Sequence, residues 1–453
     1  MVDLMVSEQQ SGMVGKGVPA GFKLTEVGVI PEDWEVKTIN EIAKVYSGGT
    51  PNRKIAQYWD GDIPWVTTTL IDGNDISDVD EYITYNGLKN SSAKWCDKNT
   101  LLMAMYGQGK TRGKVGVLRI KATINQACAA ISLYEKTSVK YLFHYLNSKY
   151  VEIRELSNSG GQENLSGTII KNLPIPYPSD KERLIIADTL SDIDTFILAQ
   201  ERLLAKKQAI KTATMQQLLT GKTRLPQFAL RDDGTTKGYK KSELGDIPED
   251  WDISTYGQVF SFLSTSTNAR SDLSDTGECG YIHYGDIHTK WNNNLNLENS
   301  SVPKISSDLV SSSFIEDGDL IMADASEDYA GIGKSIEIQG VRGNIIVAGL
   351  HTYLLRDVNN IFVNGFRGYL HCIRAVKANI DRLATGMKVF GVSKNNLKTI
   401  PIPVPPKEEQ IAITAILSDM DKDIQTLQQR LDKTRQLKQG MMQELLTGKT
   451  RLI

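Results

Sequence analysis

One block of this chain is written twice, and that repetition constrains the fold more than any single residue does. PYPSDKERLIIADTLSDID at Pro176–Asp194 returns as PVPPKEEQIAITAILSDMD at Pro403–Asp421, and MQQLLTGKTRL at Met215–Leu225 returns as MQELLTGKTRL at Met442–Leu452. Pro174 and Pro401 are 227 residues apart, and so are Met215 and Met442, so no insertion separates the landmarks. In the second copy Ile413, Leu417, Met420, Ile424, Leu427 and Leu431 advance in steps of four and three, and after Thr434 and Lys438 the series resumes at Met441 and Leu445. The first copy repeats it at Ile186, Leu190, Ile193, Ile197 and Leu204, with Leu218 near the end. Apolar residues at this spacing form the seam of a helix packed lengthwise on another helix. Proline-rich, acidic first turns and Gly221 or Gly448 near the far ends bound each helix. Two rods of about 57 Å are expected, lying antiparallel against each other.

A second repeat frames the first. GVIPEDWEVKTINEIA at Gly28–Ala43 returns as GDIPEDWDISTYGQVF at Gly245–Phe260, here with an offset of 217, so the stretch between opening motif and helix is longer in the second copy. Between these frames the sequences diverge. Ile63–Thr69, Thr100–Met105, Lys114–Ile120 and Ala129–Leu133 read as strands, as do Tyr281–Ile287, Asp319–Ala323, Lys334–Ile338 and Val347–Leu355 in the second half. Helical stretches follow at Val139–Leu156 and Gly365–Leu383. The predicted organisation is a flexible lead-in (1–22), a globular domain (23–178), a central helix (179–225), a second globular domain (226–406) and a C-terminal helix (407–453).

Charge and cysteine usage narrow the chemistry. A formal net charge of −2 and a pI near 6.3 mean that any attraction for phosphate must be local or shared with a partner. Cys96, Cys128, Cys279 and Cys372 are scattered with no CxxC pair, which fits a reducing compartment and offers no zinc site. No apolar run approaches membrane-spanning length and the N-terminus carries no signal-peptide pattern, so a cytoplasmic location is expected. GKT occurs at Gly109–Thr111, Gly221–Thr223 and Gly448–Thr450, yet a phosphate-cradling loop needs a glycine five residues earlier, where Ala104, Gln216 and Gln443 stand. GxSxG, HExxH and paired metal-ligand spacings are missing, and the five histidines lie apart in sequence. The expectation is a chain with no catalytic or metal residues and no cofactor of its own.

The cluster Gly107–Lys121 (GQGKTRGKVGVLRIK) is different in kind, because it concentrates cations with no acidic residue in an otherwise neutral chain. Lys110, Thr111, Arg112 and Lys114 offer phosphate contacts, and Gln108, Asn125 and Gln126 supply amides of the type that pair with adenine. Other polar loops of the first domain extend the candidate DNA surface: Thr50 and Arg53 in SGGTPNR, Thr67 and Thr68, and Gln162 and Asn164 in SNSGGQEN. In the second domain the candidates are Tyr284, Asp286, His288, Lys290, Ser326, Lys334, His351 and Lys388.

The order and duplication of four local features, G-[VD]-I-P-E-D-W, S-G-G-T-P at Ser47–Pro51, N-L-P-I-P with K-T-I-P-I-P, and L-L-T-G-K-T-R-L, resemble the specificity subunit of a type I restriction-modification system. The resemblance implies an α+β chain: two mixed α/β target-recognition domains joined by two long antiparallel coiled-coil helices, related by a pseudo-twofold internal repeat. It further implies that each domain reads one half of a split double-stranded DNA target while the helices fix the gap. Adenine methyltransferase subunits and restriction-translocase subunits would be the partners, carrying S-adenosylmethionine, ATP and magnesium. Docking candidates on the helices are Arg202, Lys206 and Lys207 in the first and Arg430, Lys433 and Arg435 in the second. The alternative is a non-catalytic two-lobed protein scaffold. A scaffold gains nothing from dissimilar centres inside matched frames, whereas a reader of two different half-sites requires them.

Overall fold

A computed structural model describes residues 18–107, 109–156 and 164–452 of the chain. It divides into two compact units, Met1–Glu201 with Gln429–Ile453, and Arg202–Gln428. Both long helices, Asp180–Leu218 and Lys407–Leu445, contribute residues to both units.

In the first unit a five-stranded sheet runs in the order Ala43–Ser47, Cys128–Leu133, Leu101–Ala104, Val115–Leu118, Asp75–Ile76. All its pairs are antiparallel except the last. A second sheet runs Glu81–Ile83, Trp59–Val66, Ala122–Ile124, Trp95–Cys96, with the middle pair parallel. The strand Leu101–Ala104 explains why its sequence is apolar at every position: Leu101 and Met103 face a core shared with the helix Val139–Ser148 and the long helices, while Leu102 and Ala104 face a core on the other side. Successive side chains of a strand point to opposite faces, so a strand buried on both faces reads as continuous rather than alternating.

The second unit repeats this topology with almost none of the sequence. Its five-stranded sheet runs Ser261–Leu263, Thr352–Arg356, Leu320–Ala323, Ser335–Gln339, Asn294–Asn296, again with only the last pair parallel. Cys279–Ile282 pairs antiparallel with Lys304–Ile305 and parallel with Ile346–Ala348, and a single bridge from Phe314 to Val347 stands where the first unit has the strand Trp95–Cys96. Leu320 and Met322 face one core, Ile321 and Ala323 the other.

The structure corrects two boundaries. The run Tyr281–Ile287 is not one strand: it stops at Ile282, and Tyr284–Thr289 is a helix whose N-cap, His283, accepts a hydrogen bond from the Gly285 N–H through Nδ1 at 3.0 Å. Val347–Leu355 is two strands broken at Gly349–His351, where His351 takes a φ of +57°. Phe22–Thr25 pairs with Gly28–Pro31, just as Tyr239–Ser242 pairs with Gly245–Pro248.

Each long helix spans 39 residues. Of the predicted seam, Ile186, Leu190, Ile197, Leu204, Leu218, Ile413, Leu417, Leu431 and Leu445 are buried, while Ile193, Met420, Ile424, Leu427 and Met441 are half-buried. Within the first unit Asp194 bonds Lys438 and Glu201 bonds Arg435 at 2.7 Å; within the second, Lys207 reaches Asp423 at 3.3 Å and Lys211 pairs with Asp421. Partner numbers fall on one helix as they rise on the other, so the segments within each unit run antiparallel.

The repeated motifs meet at two equivalent nodes. In the first unit Trp34 Nε1 donates to Glu182 Oε2 at 3.0 Å, and Arg451 bonds Glu182 while forking onto both oxygens of Asp33 at 3.0 Å. In the second unit Trp251 Nε1 donates to Glu409 at 2.8 Å, and Arg224 bonds both Glu409 and Asp250. Gly221 and Gly448 end the helices in the left-handed region, at φ of +66° and +69°. A Cβ on Gly221 would sit 2.4 Å from Pro248 Cγ, and one on Gly448 2.5 Å from Pro31. The glycine of GKT is thus a helix stop on which the opening motif's proline packs, not part of a phosphate loop. The N-L-P-I-P and T-I-P-I-P runs are strands, Pro174–Tyr177 on Glu35–Thr38 and Pro401–Val404 on Asp252–Thr255.

Candidate nucleic-acid interface

The basic cluster of the first unit is less bare than its sequence suggests. Val115–Leu118 lies parallel to Asp75–Ile76, which brings acidic residues from some forty positions upstream beside it. Lys114 pairs with Asp72, and Arg119 with Asp75 at 2.9 Å and the Asn99 side chain at 2.8 Å. Arg112 is only 7% exposed, so it is folded into the domain rather than presented at its surface. Lys110 is exposed, and its carbonyl accepts from Tyr150 Oη at 2.6 Å, which fixes the loop without using the ammonium; Thr111 beside it is half-buried.

Other first-unit candidates converge in part. Thr50 and Gln126, far apart in sequence, are joined by a hydrogen bond from the Thr50 hydroxyl to the Gln126 amide oxygen. Asn125 spends its Oδ1 on the Ala127 N–H at 3.0 Å, shaping the turn that presents Gln126. Arg53 pairs with Glu81 at 2.6 Å and lies over Trp59 and Trp65, at 3.8 and 4.9 Å from the ring centroids. These two tryptophans were not legible as site residues, because nothing in their local sequence marks them as the platform for a cation. Thr67 and Thr68 follow the strand Trp59–Val66, with the Thr67 hydroxyl 2.5 Å from that of Thr69. Asn164 is exposed. Gln108 and Gln162 lie outside the described residues.

The second unit gathers its candidates more tightly. The Tyr284 ring lies 5.5 Å from that of His351 and 6.0 Å from that of His288. His288 Nε2 is 3.0 Å from the Ala325 carbonyl, and Lys334 Nζ donates to the His288 carbonyl at 3.1 Å. Burial holds the Lys334 ammonium below its ordinary range and raises the Asp324 carboxyl, with His351 at 3.4 Å opposing the second shift. Asp286 is 1% exposed and is clamped by Lys290 at 3.0 Å and Arg270 at 3.2 Å, so its carboxylate organises the two cations instead of facing outward. Arg270 carries no mark of this role in its local sequence, since only the fold brings it beside Asp286. Ser326 is buried, with its hydroxyl directed at Asp328 at 3.4 Å. Lys388 is exposed on a hairpin whose Phe390–Gly391 pairs with Ala325–Ser326.

Of the helix residues, Arg202, Lys206, Arg430 and Lys433 are exposed, whereas Lys207 and Arg435 also hold the ion pairs given above. Among the described residues no helix is long and apolar enough to cross a membrane.

Residues 31–211 and 248–435 match the family described as the type I restriction modification DNA specificity domain. The type I restriction enzyme MjaIX specificity subunit of Methanocaldococcus jannaschii is 33% identical over 181 residues, covering 39% of this chain and 41% of the relative, so that match spans less than half of the relative's length. The putative MjaX specificity subunit of the same organism is 25% identical over 453 residues, covering 95% of this chain and 97% of the relative. A chain solved in a study of complex assembly and conformational transition of the type I R-M system shares the fold, with a TM-score of 0.56 at 16% identity over 93% of this chain and 99% of that one.

Proposed function

We propose that this chain, which belongs to the type I restriction-modification DNA specificity family, reads a split DNA target with one half assigned to each of its two globular domains, residues 23–178 and 226–406. The observation that carries the proposal is the pairing of a repeated five-stranded sheet order with dissimilar surfaces. Topology and the two Trp-Glu-Arg-Asp nodes repeat, but the groups presented do not: Thr50, Gln126, Lys110 and the Arg53–tryptophan stack in one unit, Tyr284, His288, His351 and Lys290 in the other. Amides and histidines at the surface suit base edges in the major groove, and exposed lysines suit phosphates.

The two 39-residue helices pair as an antiparallel coiled coil and act as the ruler between half-sites. At 1.5 Å per residue each is about 58 Å long, comparable to about 17 base pairs. Because the repeats run head to tail while the helices run antiparallel, the two halves of the target are read in opposed orientation. The chain performs no chemistry. Adenine methyltransferase subunits dock on the helices around Arg202, Lys206, Lys207, Arg430, Lys433 and Arg435, bind S-adenosylmethionine and take the target adenine out of the stack. Motor-nuclease subunits carrying ATP and magnesium join for cleavage. The near-neutral charge fits this division, since partners supply part of the phosphate contact, and the complex works in the cytoplasm.

The test is co-expression with the methyltransferase subunit of the same system, followed by genome-wide mapping of methyladenine. One split motif with a fixed gap is expected, and exchanging Gly28–Leu173 for another such domain should rewrite one half only. A stable complex that modifies no motif would sink this reading in favour of a protein scaffold.

A further inference from the structure

The 227-residue offset of the long helices extends upstream through one more pair of segments, SNSGGQENLS at Ser157–Ser166 and ATGMKVFGVS at Ala384–Ser393. Both end on a serine that caps the next short helix: Ser166 Oγ accepts from the Ile169 N–H at 3.1 Å and Ser393 Oγ from the Asn396 N–H at 3.2 Å. Length and exit are therefore matched, while composition swaps from glycine and amides to Met387, Lys388, Val389 and Phe390. Divergence at constant length inside a matched frame is what a change of ligand contact requires and a change of scaffold does not.

The second segment is a braced hairpin. Thr385 and Gly391 exchange backbone hydrogen bonds at 2.9 and 2.8 Å, and Gly386 turns the chain at a φ of +144°, where a Cβ would lie 1.9 Å from the Val389 carbonyl oxygen. Phe390–Gly391 pairs with Ala325–Ser326, the Phe390 ring lies 4.0 Å from that of Tyr329, and Tyr353 Oη donates to the Val392 carbonyl at 2.9 Å. On this base stand exposed apolar groups: Met387 is 99% exposed, Val389 54% and Tyr329 50%. Leaving them in water has a cost that a structural hairpin does not need to bear. From residue 382 to residue 398 the chain carries Arg382, Lys388, Lys394 and Lys398 with no acidic residue, so the approach to the tip is cationic and fits a polyanion. Glu327 and Asp328 stand on the facing loop, with Asp328 tied to the Gly331 N–H at 2.7 Å, which keeps a phosphate away from that side and leaves the tip as the point of contact.

Building on the reading that the second domain binds DNA, we infer that the Thr385–Gly391 hairpin is a specificity determinant of its half-site, in which Met387 packs against a thymine methyl group in the major groove while Lys388 holds the adjoining backbone. Thymine alone offers an apolar group at its major-groove edge, and an unbranched, polarisable methionine adapts to it.

The test uses the full chain assembled with its methyltransferase subunit and duplexes in which each thymine of the second half-site is replaced in turn by deoxyuridine, which removes only the methyl. One replacement should weaken binding about fourfold, the effect of one buried methyl group, and Met387→Ala should weaken binding to the thymine duplex by a similar factor while abolishing the thymine–uracil difference. Because Met387 is almost wholly exposed, this variant keeps its fold. A half-site that lacks thymine, insensitivity at every position, or an undiminished difference in Met387→Ala would overturn the inference. Failure of the unmodified complex to prefer any split site would instead count against the DNA-reading proposal beneath it.

Discussion

Arg224→Ala should uncouple one repeat frame without touching the other, and its cost can be worked from the geometry. The Arg224 side chain is 5% exposed and bonds Glu409 and Asp250; the Glu409 side chain is 2% exposed. Once the guanidinium is gone, Asp250 keeps Lys237 at 2.8 Å and some access to water, so its loss is small. Among the described residues Glu409 keeps the Trp251 Nε1 donor alone. Removing one partner of a buried pair typically costs about 3–5 kcal/mol, because the remaining charge is stranded. Against a total stability of about 5–15 kcal/mol this is a large fraction, and for a unit of this size it corresponds to a fall in Tm of about 10 °C. The equivalent Arg451→Ala should cost less, since Arg451 is 29% exposed and Asp33 faces solvent, though Glu182 stays buried. Thermal unfolding would measure the total, and hydrogen exchange read by mass spectrometry would locate it. Arg224→Ala should deprotect Arg202–Gln428 and Arg451→Ala the other unit. Adding Glu409→Gln to Arg224→Ala should recover about 1–2 kcal/mol by removing the stranded charge. A Tm change under about 3 °C, or deprotection confined to the wrong unit, would refute the argument.

Three further outcomes follow from particular residues. Gly221→Ala meets both a left-handed backbone and Pro248 Cγ at 2.4 Å, and should destabilise the second unit by about 2–4 kcal/mol in a denaturant titration; an effect below about 1 kcal/mol would mean that the helix end relaxes freely. His144 is buried beside Ser191 and held neutral, its pKa pushed down to about 4 by burial with Asp194 opposing. The unfolded chain therefore takes up the proton first, so the contribution is intact above about pH 6.5 and is lost as pH falls toward 4, by up to about 3 kcal/mol; His144→Gln should flatten the fall in Tm between neutral and mildly acidic pH, and an unchanged slope would count against it. Finally, Arg202→Glu with Lys206→Glu should leave circular dichroism unchanged but lower co-purification of the methyltransferase subunit at least tenfold, an effect that full retention of the complex would contradict.

The candidate DNA surface was legible only in outline. The run GKTRGKVGVLRIK looks like one exposed basic stripe, but Lys114, Arg119 and Arg112 are drawn inward or paired by residues that a neighbouring strand supplies. A local run of charge carries no record of what a parallel strand will place beside it. The same holds for Arg53 over its tryptophans and for Arg270 with Lys290 on Asp286, arrangements closed across separate strands and loops. Lys110 and Lys388, at loop tips, stay exposed, because little else reaches a tip.

What the sequence determined by itself was the frame. Helix periodicity, capping glycines and proline-rich helix starts act over a few residues, so their pattern is visible wherever it is written, and here it is written twice. Tertiary structure decided what the repetition is for. Asp33 and Trp34, Glu182, and Arg451 sit in three distant motifs, and only folding shows that the opening motif of each repeat closes on the helix end of the other, around a buried carboxylate. It also decided that two dissimilar centres share one sheet order, which no residue comparison reveals, because a strand buried on both faces demands only apolar side chains of suitable volume and not particular ones.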